Sequence, residues 1–221
     1  MPTPDRLRLA FLGDPNNVHT RRWLSWFAER GHGVHLLEGF GIEVAPGLHN
    51  GVGLERYGPH PRRLLSVGSA LRARRDLRRL VERLRPDLLH AHYVRGYGWH
   101  AALAGFHPRV VSPWGSDLLR VPARAIRTRW WNRYALRGAD LVTVTTDHMR
   151  RAAIRAGARP GRVQLIQHGV DTRLFGPGPA PASPADPLAT GGRPLVFSPR
   201  ALQPLYRHET IVDAFATVPP E

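Results

Sequence analysis

The sequence predicts an α/β fold, a Rossmann-like parallel sheet with helices on both faces, followed by an incomplete second α/β domain. Three observations predict it. Short apolar segments alternate with longer ones whose apolar residues recur at helical spacing. The short segments are apolar throughout rather than on alternate residues, as strands covered on both faces are. Past residue 193 one more strand and one more helix appear, too few to bury their own apolar faces.

The elements follow in order. "RLRLAFLG" reads as the first strand, and the next stretch as a helix with Trp23, Phe27 and Ala28 on one face and Gly31 as its stop. "GVHLLEG" is a second strand, and residues 39–61 read as Gly-rich and irregular. Residues 62–84 form an amphipathic helix, with Leu64, Val67, Leu71, Leu77, Leu80, Val81 and Leu84 facing in, arginines covering the rest, and a break near Arg74. "DLLHAHY", "RVVS", "DLVTVTT" and "RVQLIQ" are further strands, separated by helices over 97–104, 123–137 and 147–156. Residues 176–193 hold five prolines and four glycines in 18 positions, the composition of a linker. The expected organisation is a domain over 1–175, a linker over 176–193 and the first β-α unit of a second domain over 194–221. The expectation that goes with it is a truncated reading frame.

Composition narrows the function. With 221 residues and 42% hydrophobic content the chain can build a sizeable core. No cysteine is present, so disulfide scaffolds and cysteine zinc sites are out. No apolar run approaches the roughly 20 residues of a membrane span, and the N-terminus lacks a signal-peptide layout, which together predict a cytoplasmic protein. The net charge of +15 comes from 32 basic residues, all arginine, which creates a field attractive to phosphates of any kind. Sign alone does not select nucleic acid, and no nucleic-acid partner is expected.

Parallel sheets bind ligands at the carboxyl ends of their strands. There the sequence places "GDPNNVHT", "HAHYVRGYG", "PWGSD" and "HGVDTRLF", loops rich in Gly, Asn, His and Asp. A dinucleotide site needs G-x-G-x-x-G in the first of these, and Gly13 stands alone before Asp14, Pro15 and two asparagines, which disfavours hydride transfer. The "PWGSD" turn is expected to present backbone and Asp117 into a cleft, or else Asp117 or Ser116 caps the segment that follows. His19, His90, His92 and His168 sit near strand ends or on the first helix. Either they line the cleft or they are satisfied structural histidines; His19 and His92 are the stronger candidates. No metal site is assigned.

The order of "HTRRWLSWFAERGHGVHLL", "PDLLHAHY", "VVSPWGSDLL", "ADLVTVTTDHMRRAAIRAGARPGRVQLIQHGVDTRLFGPG" and "FSPRALQPLYRHETIVDAF" resembles the retaining GT-B glycosyltransferases of family 4, the group 1 class. The resemblance implies a nucleotide-sugar donor as substrate, no cofactor beyond it, and an acceptor that is a sugar, a lipid-linked glycan or a small molecule. It places Gly13 and Asp14 near the donor phosphates, where a glycine before a helix lets the backbone approach an anion. Trp114, Gly115, Ser116 and Asp117 match the family's His-Gly-x-Asp turn, with tryptophan in the histidine's place, able to pack on a sugar face. Arg200 matches the arginine that holds the donor pyrophosphate, and Arg207 stands in roughly for its partner lysine; guanidinium groups neutralise charge on the leaving diphosphate. By the same resemblance Asp117, His92 and His19 are the catalytic candidates, the acceptor attacks the face the diphosphate leaves, and the leaving phosphate takes the proton. The family's paired glutamates have no match in the chain. The alternative is a non-catalytic acceptor-binding or interaction module. Separately, the arginine-rich helix over 62–84 raises peripheral contact with an anionic membrane at its inner face.

Overall fold

The computed structural model of the protein describes residues 6–60, 67–121, 125–172, 175–176 and 197–218. The chain divides into two compact units, Met1–Gly169 and Val170–Glu221.

The first unit is built on a seven-stranded, wholly parallel sheet in the order β3-β2-β1-β4-β5-β6-β7. The strands are β1 (Arg8–Leu12), β2 (Gly33–Glu38), β3 (Val52–Arg56), β4 (Leu88–His92), β5 (Arg109–Ser112), β6 (Leu141–Val144) and β7 (Val163–Leu165). The helices are α1 (Val18–Ala28), α2 (Val67–Leu84), α3 (Trp99–Ala104), α4 (Ser116–Leu119), α5 (Ile126–Arg137) and α6 (Asp147–Arg155).

Alternation along the strands feeds two cores. On one face of β1, Leu9 and Phe11 pack with Leu24, Val34 and Leu36, and Trp23, Phe27 and Ala28 of α1 close over them. On the other, Ala10 and Leu12 join a larger core with Leu77 and Leu80 of α2, Trp99 and Ala101 of α3, Leu136 of α5 and Met149 of α6. Helix α1 starts where the Asn17 side chain accepts from the His19 amide, and Gly31 turns the chain away at φ 81°.

Four expectations change. Residues 52–56, read as irregular, form β3, paired parallel to β2. Its exposed positions leave Val52, Gly53 and Leu54 too mixed a pattern to register as a buried strand. Helix α2 runs unbroken over 18 residues. Its buried stripe is Ser69, Ala73, Leu77, Leu80 and Val81, spaced three or four apart, so Val67 and Leu71 fall off the stripe and are exposed. The helix expected from 97 becomes regular only at Trp99, because Arg95 and Gly96 hold non-helical angles within a wide turn over 94–98.

In the second unit, α7 (His208–Ala216) follows a short turn over Pro204–Tyr206. The strand expected near 194–197 and the linker over 176–193 lie almost wholly outside the described residues.

Candidate functional site

The strand order reverses between β1 and β4, the switch point at which open α/β sheets leave a crevice beyond the strand ends. Gly13 follows β1 and His92 ends β4 there. A Cβ on Gly13 would lie 3.0 Å from Thr20 Oγ1 and 3.3 Å from His92 Cβ, so glycine is what lets β1, α1 and β4 meet this closely. The loop after Gly13 is fixed from both sides. Asp14 Oδ1 accepts from the Asn16 amide at 2.9 Å, while Asn16 and Arg21 bond to the 43–46 backbone, Arg21 reaching Pro46 O at 2.7 Å and Ala45 O at 2.6 Å. The stretch read as irregular thus braces the first loop. Its glycines and asparagine gave no sign of this, because the bonds run to backbone carbonyls and one backbone amide.

Glu38, at the end of β2, holds the place of an acidic ribose ligand in dinucleotide enzymes. Here it is buried and accepts from the Phe40 and Gly41 amides at 2.6 and 3.0 Å and from Arg56 at 2.9 Å. Its acceptor capacity is used within the fold.

The "PWGSD" turn is tied down by one carboxylate. Asp117 is 0% exposed. Its Oδ1 accepts from the Trp114 and Gly115 amides at 3.1 and 2.9 Å, and its Oδ2 from the Val94 amide in the loop after β4 at 2.7 Å. Ser116 Oγ and Tyr93 OH meet at 2.7 Å, and Asn132 links Asp117 O to the Trp99 indole. The loops after β4 and β5 are therefore one piece, and the Asp117 carboxylate faces amides rather than a cleft, which corrects the expectation that it points outward. Burial raises its pKa, against the downward pull of the amide donors. Gly115, at φ 127°, takes a backbone conformation closed to other residues.

Trp114, held by that turn, is the centre of a ring cluster. Its indole lies 4.9 Å from the His92 ring, 5.5 Å from His19 and 6.5 Å from His168, and His19 and His168 stack at 4.3 Å. Trp23 meets His92 and His90 edge-on. Beneath them His90 Nε2 contacts Ser112 Oγ at 2.7 Å, and Ser112 Oγ in turn contacts Thr143 Oγ1. His92 Nδ1 lies 3.3 Å from Thr20 Oγ1, and its buried Nε2 has no hydrogen-bond partner among the described residues.

Burial lowers the pKa of His90 to about 3 and holds His92 well below its ordinary value, with further depression from His90, His168 and His19. Burial and then Arg22 lower His19; burial, His19 and Arg22 lower His168. At neutral pH the cluster is uncharged, so it offers imidazole nitrogens and ring faces rather than cations. A cavity of about 350 Å³ opens beside it, lined by His19, Arg22, Trp23, Trp26, Phe27, Gln167, His168 and Gly169. Arg22 donates to Gly169 O at 2.7 Å across it. Trp23, Trp26 and Arg22 were missed as site residues because helical spacing alone reads them as core or surface.

The structure thus gathers Gly13, His19, His92, Trp114, Gly115 and Ser116 in one place, with Asp14 in the adjoining first loop. Arg200 and Arg207 belong to the second unit. There Arg200 lies over the Tyr206 ring at 5.3 Å and is exposed, and Arg207 precedes α7 in a left-handed conformation (φ 47°). Among the described residues no group of three or more His, Asp or Glu could hold a metal ion, and no helix is long and apolar enough to cross a membrane.

A sequence model of the family described as Glycosyl transferase 4-like matches residues 8–146. The chain belongs to this glycosyl transferase 4-like family. Its fold is that of GT-B enzymes. Sucrose-phosphate synthase from Thermosynechococcus elongatus superposes with a TM-score of 0.59 at 16% identity, over 78% of this chain and 51% of its own. Anabaena HepE, in complex with UDP and glucose, gives a TM-score of 0.59 at 20% identity, over 97% of this chain and 59% of its own. The lipopolysaccharide outer core galactosyltransferase WaaB gives 0.54 at 12%, over 74% and 46%. Among curated proteins no sequence match reaches significance. The glycosyl transferase 4-like chain spans about half the length of these solved structures, and at such identities the likeness is one of fold.

Proposed function

We propose that residues 1–175 form the acceptor-side domain of a retaining glycosyltransferase that moves a sugar from a nucleotide-sugar donor, and that residues 194–221 begin its donor-binding domain. The observation that supports this reading is the convergence of the first loop, the Trp114 turn and the His19–His168 stack on the switch point of a family-4-like sheet. Its uncharged rings suit a sugar, which packs apolar C–H faces on aromatics while its hydroxyls bond to imidazole nitrogens. In this reading Trp114 packs on a sugar, His19 and His168 contact hydroxyls, and the loop of Gly13 and Asp14 faces the donor phosphates. Asp117 is a positioning residue that acts by holding Trp114. Arg200, with Arg207 further along the same segment, neutralises the diphosphate. HepE, in complex with UDP and glucose, makes a uridine diphosphate sugar the first donor to try.

The test is a transfer and donor-hydrolysis assay on the whole protein its gene encodes, with UDP-glucose and other nucleotide sugars, following the anomeric configuration of the product. Release of nucleoside diphosphate that needs Arg200 and gives retained configuration supports the reading. Inverted configuration, or turnover indifferent to Arg200→Ala and Trp114→Ala, overturns it. The second reading is a non-catalytic acceptor-binding or interaction module, which the same assay distinguishes by an absence of donor turnover.

A further inference from the structure

Helices α2 and α5 are both rich in arginine, but they meet solvent differently. On α2 Leu77, Leu80 and Val81 are buried, and the outward face is chiefly arginine, with Val67 and Leu71 exposed near its start and no aromatic residue. On α5 the outward face carries Ile126, Trp130 and Tyr134, exposed at 75%, 58% and 44%. These three lie four residues apart, so they form one stripe along the helix. Trp130 and Tyr134 stack with their planes 4° apart and their centroids 5.7 Å apart. Arg129, Arg133 and Arg137, again four apart, run along the same exposed arc, and "IRTRWWNRYALR" contains no acidic residue. The buried side of the helix is Asn132, Ala135 and Leu136, so the aromatic stripe is not the one that packs on the sheet. Beside it, exposed Leu119 and half-buried Val121 continue the apolar surface into a cleft of about 630 Å³ toward α6, rimmed by Arg129, Arg133 and Arg155.

We propose that the exposed face of α5, with the adjoining end of α4, docks on an anionic lipid bilayer. Tryptophan and tyrosine have the rings that settle at the headgroup level, and Ile126 and Leu119 supply the apolar surface below them. Arginine stems lie along apolar surface while the guanidinium groups reach lipid phosphates. The absence of carboxylates from α5 fits a negatively charged partner. Exposed isoleucine and leucine beside the rings fit acyl chains better than nucleic acid, which offers bases and phosphates but no apolar layer. The surface expected from sequence for this role, α2, lacks the aromatic stripe. The inference concerns this surface alone and is independent of the transfer chemistry.

Vesicle flotation of the full chain tests it, with vesicles of phosphatidylcholine alone and of two parts phosphatidylcholine to one part phosphatidylglycerol. Binding is expected only to the second. Each arginine at an anionic surface contributes about fivefold in partitioning, so the triple variant Arg129→Gln, Arg133→Gln, Arg137→Gln is expected to lower binding on the order of 100-fold. The charge-matched control Arg72→Gln, Arg74→Gln, Arg79→Gln on α2 is expected to stay within about threefold of the parent chain. Brominated lipid is expected to quench tryptophan emission, and Trp130→Phe to remove most of that quenching. Circular dichroism checks that each variant folds. Equal losses from the α2 and α5 variants would assign the binding to net charge and overturn the proposal. So would an absence of flotation with anionic vesicles, or a dimer in solution that the α5 variants dissociate.

Discussion

Two walls of the candidate site are built in opposite ways. The turn after β5 is immobilised from within, by a buried carboxylate that accepts three backbone amides and by a loop it shares with β4. The segment after β7 is exposed from Ile166 to Val170, held to α1 by a ring stack and one guanidinium–carbonyl bond. Stability is invested on the side of Trp114, and freedom is left on the side of His168. Binding surfaces that close on a ligand need such a low-stability element beside a rigid one.

The largest way to break this contrast is Asp117→Ala. It strands one buried and two half-buried amides, and the expected loss is about 2–4 kcal/mol in denaturant unfolding. Asp117→Asn keeps one acceptor oxygen and is expected to cost about half as much.

Next comes acid. Burial depresses the His90 pKa from 6.5 to about 3, so the folded state resists a proton that the unfolded chain accepts. Stability is therefore complete above pH 6.5 and is lost as pH falls from there toward 3. The expected contribution of His90 is a slope of about 1.4 kcal/mol per pH unit in that window. His90→Gln should flatten the measured stability–pH curve by that slope, and an unchanged slope would remove the histidine from the foundation of the rigid wall.

Gly13→Ala is smaller. Its Cβ would sit 3.0 Å from Thr20 Oγ1 and 3.1 Å from Thr20 Cγ2, for an expected loss of about 1–2 kcal/mol. Adding Thr20→Ala, which removes both atoms, is expected to recover part of that loss, and a strictly additive double variant would contradict the contact.

His168→Ala, on the soft wall, is expected to change unfolding stability by less than about 0.5 kcal/mol, the range of an exposed substitution. Its effect should appear in ligand affinity instead, read by titration with the sugar acceptor or donor that the transfer assay identifies.

The parallel sheet was legible in the sequence because "LAFL", "LLHAH" and "LVTV" carry apolar residues on both faces and no charge, and burial on both faces is what such runs require. The site was legible only as a set of loops. That Gly13, His92 and Trp114 come together follows from strand order, which periodicity does not encode. Asp117 was visible as a polar residue in a turn, but its direction was not. A carboxylate that serves three amides and one that faces a ligand occupy the same sequence pattern. Strand β3 escaped because an edge strand alternates exposed and half-buried residues and has little apolar signature.

The strand order also bears on synthesis. Of the strands in this sheet β1 comes earliest in the chain; β2 and then β3 add outward on one side, α2 carries the chain back, and β4 to β7 add outward on the other. No strand has to wedge itself between two that are already paired. A nascent chain can bury its hydrophobic surface piece by piece as it emerges, leaving only the newest edge open to wrong partners. The crevice between β1 and β4 takes shape as soon as β4 docks, before β5, β6 and β7 have joined the sheet.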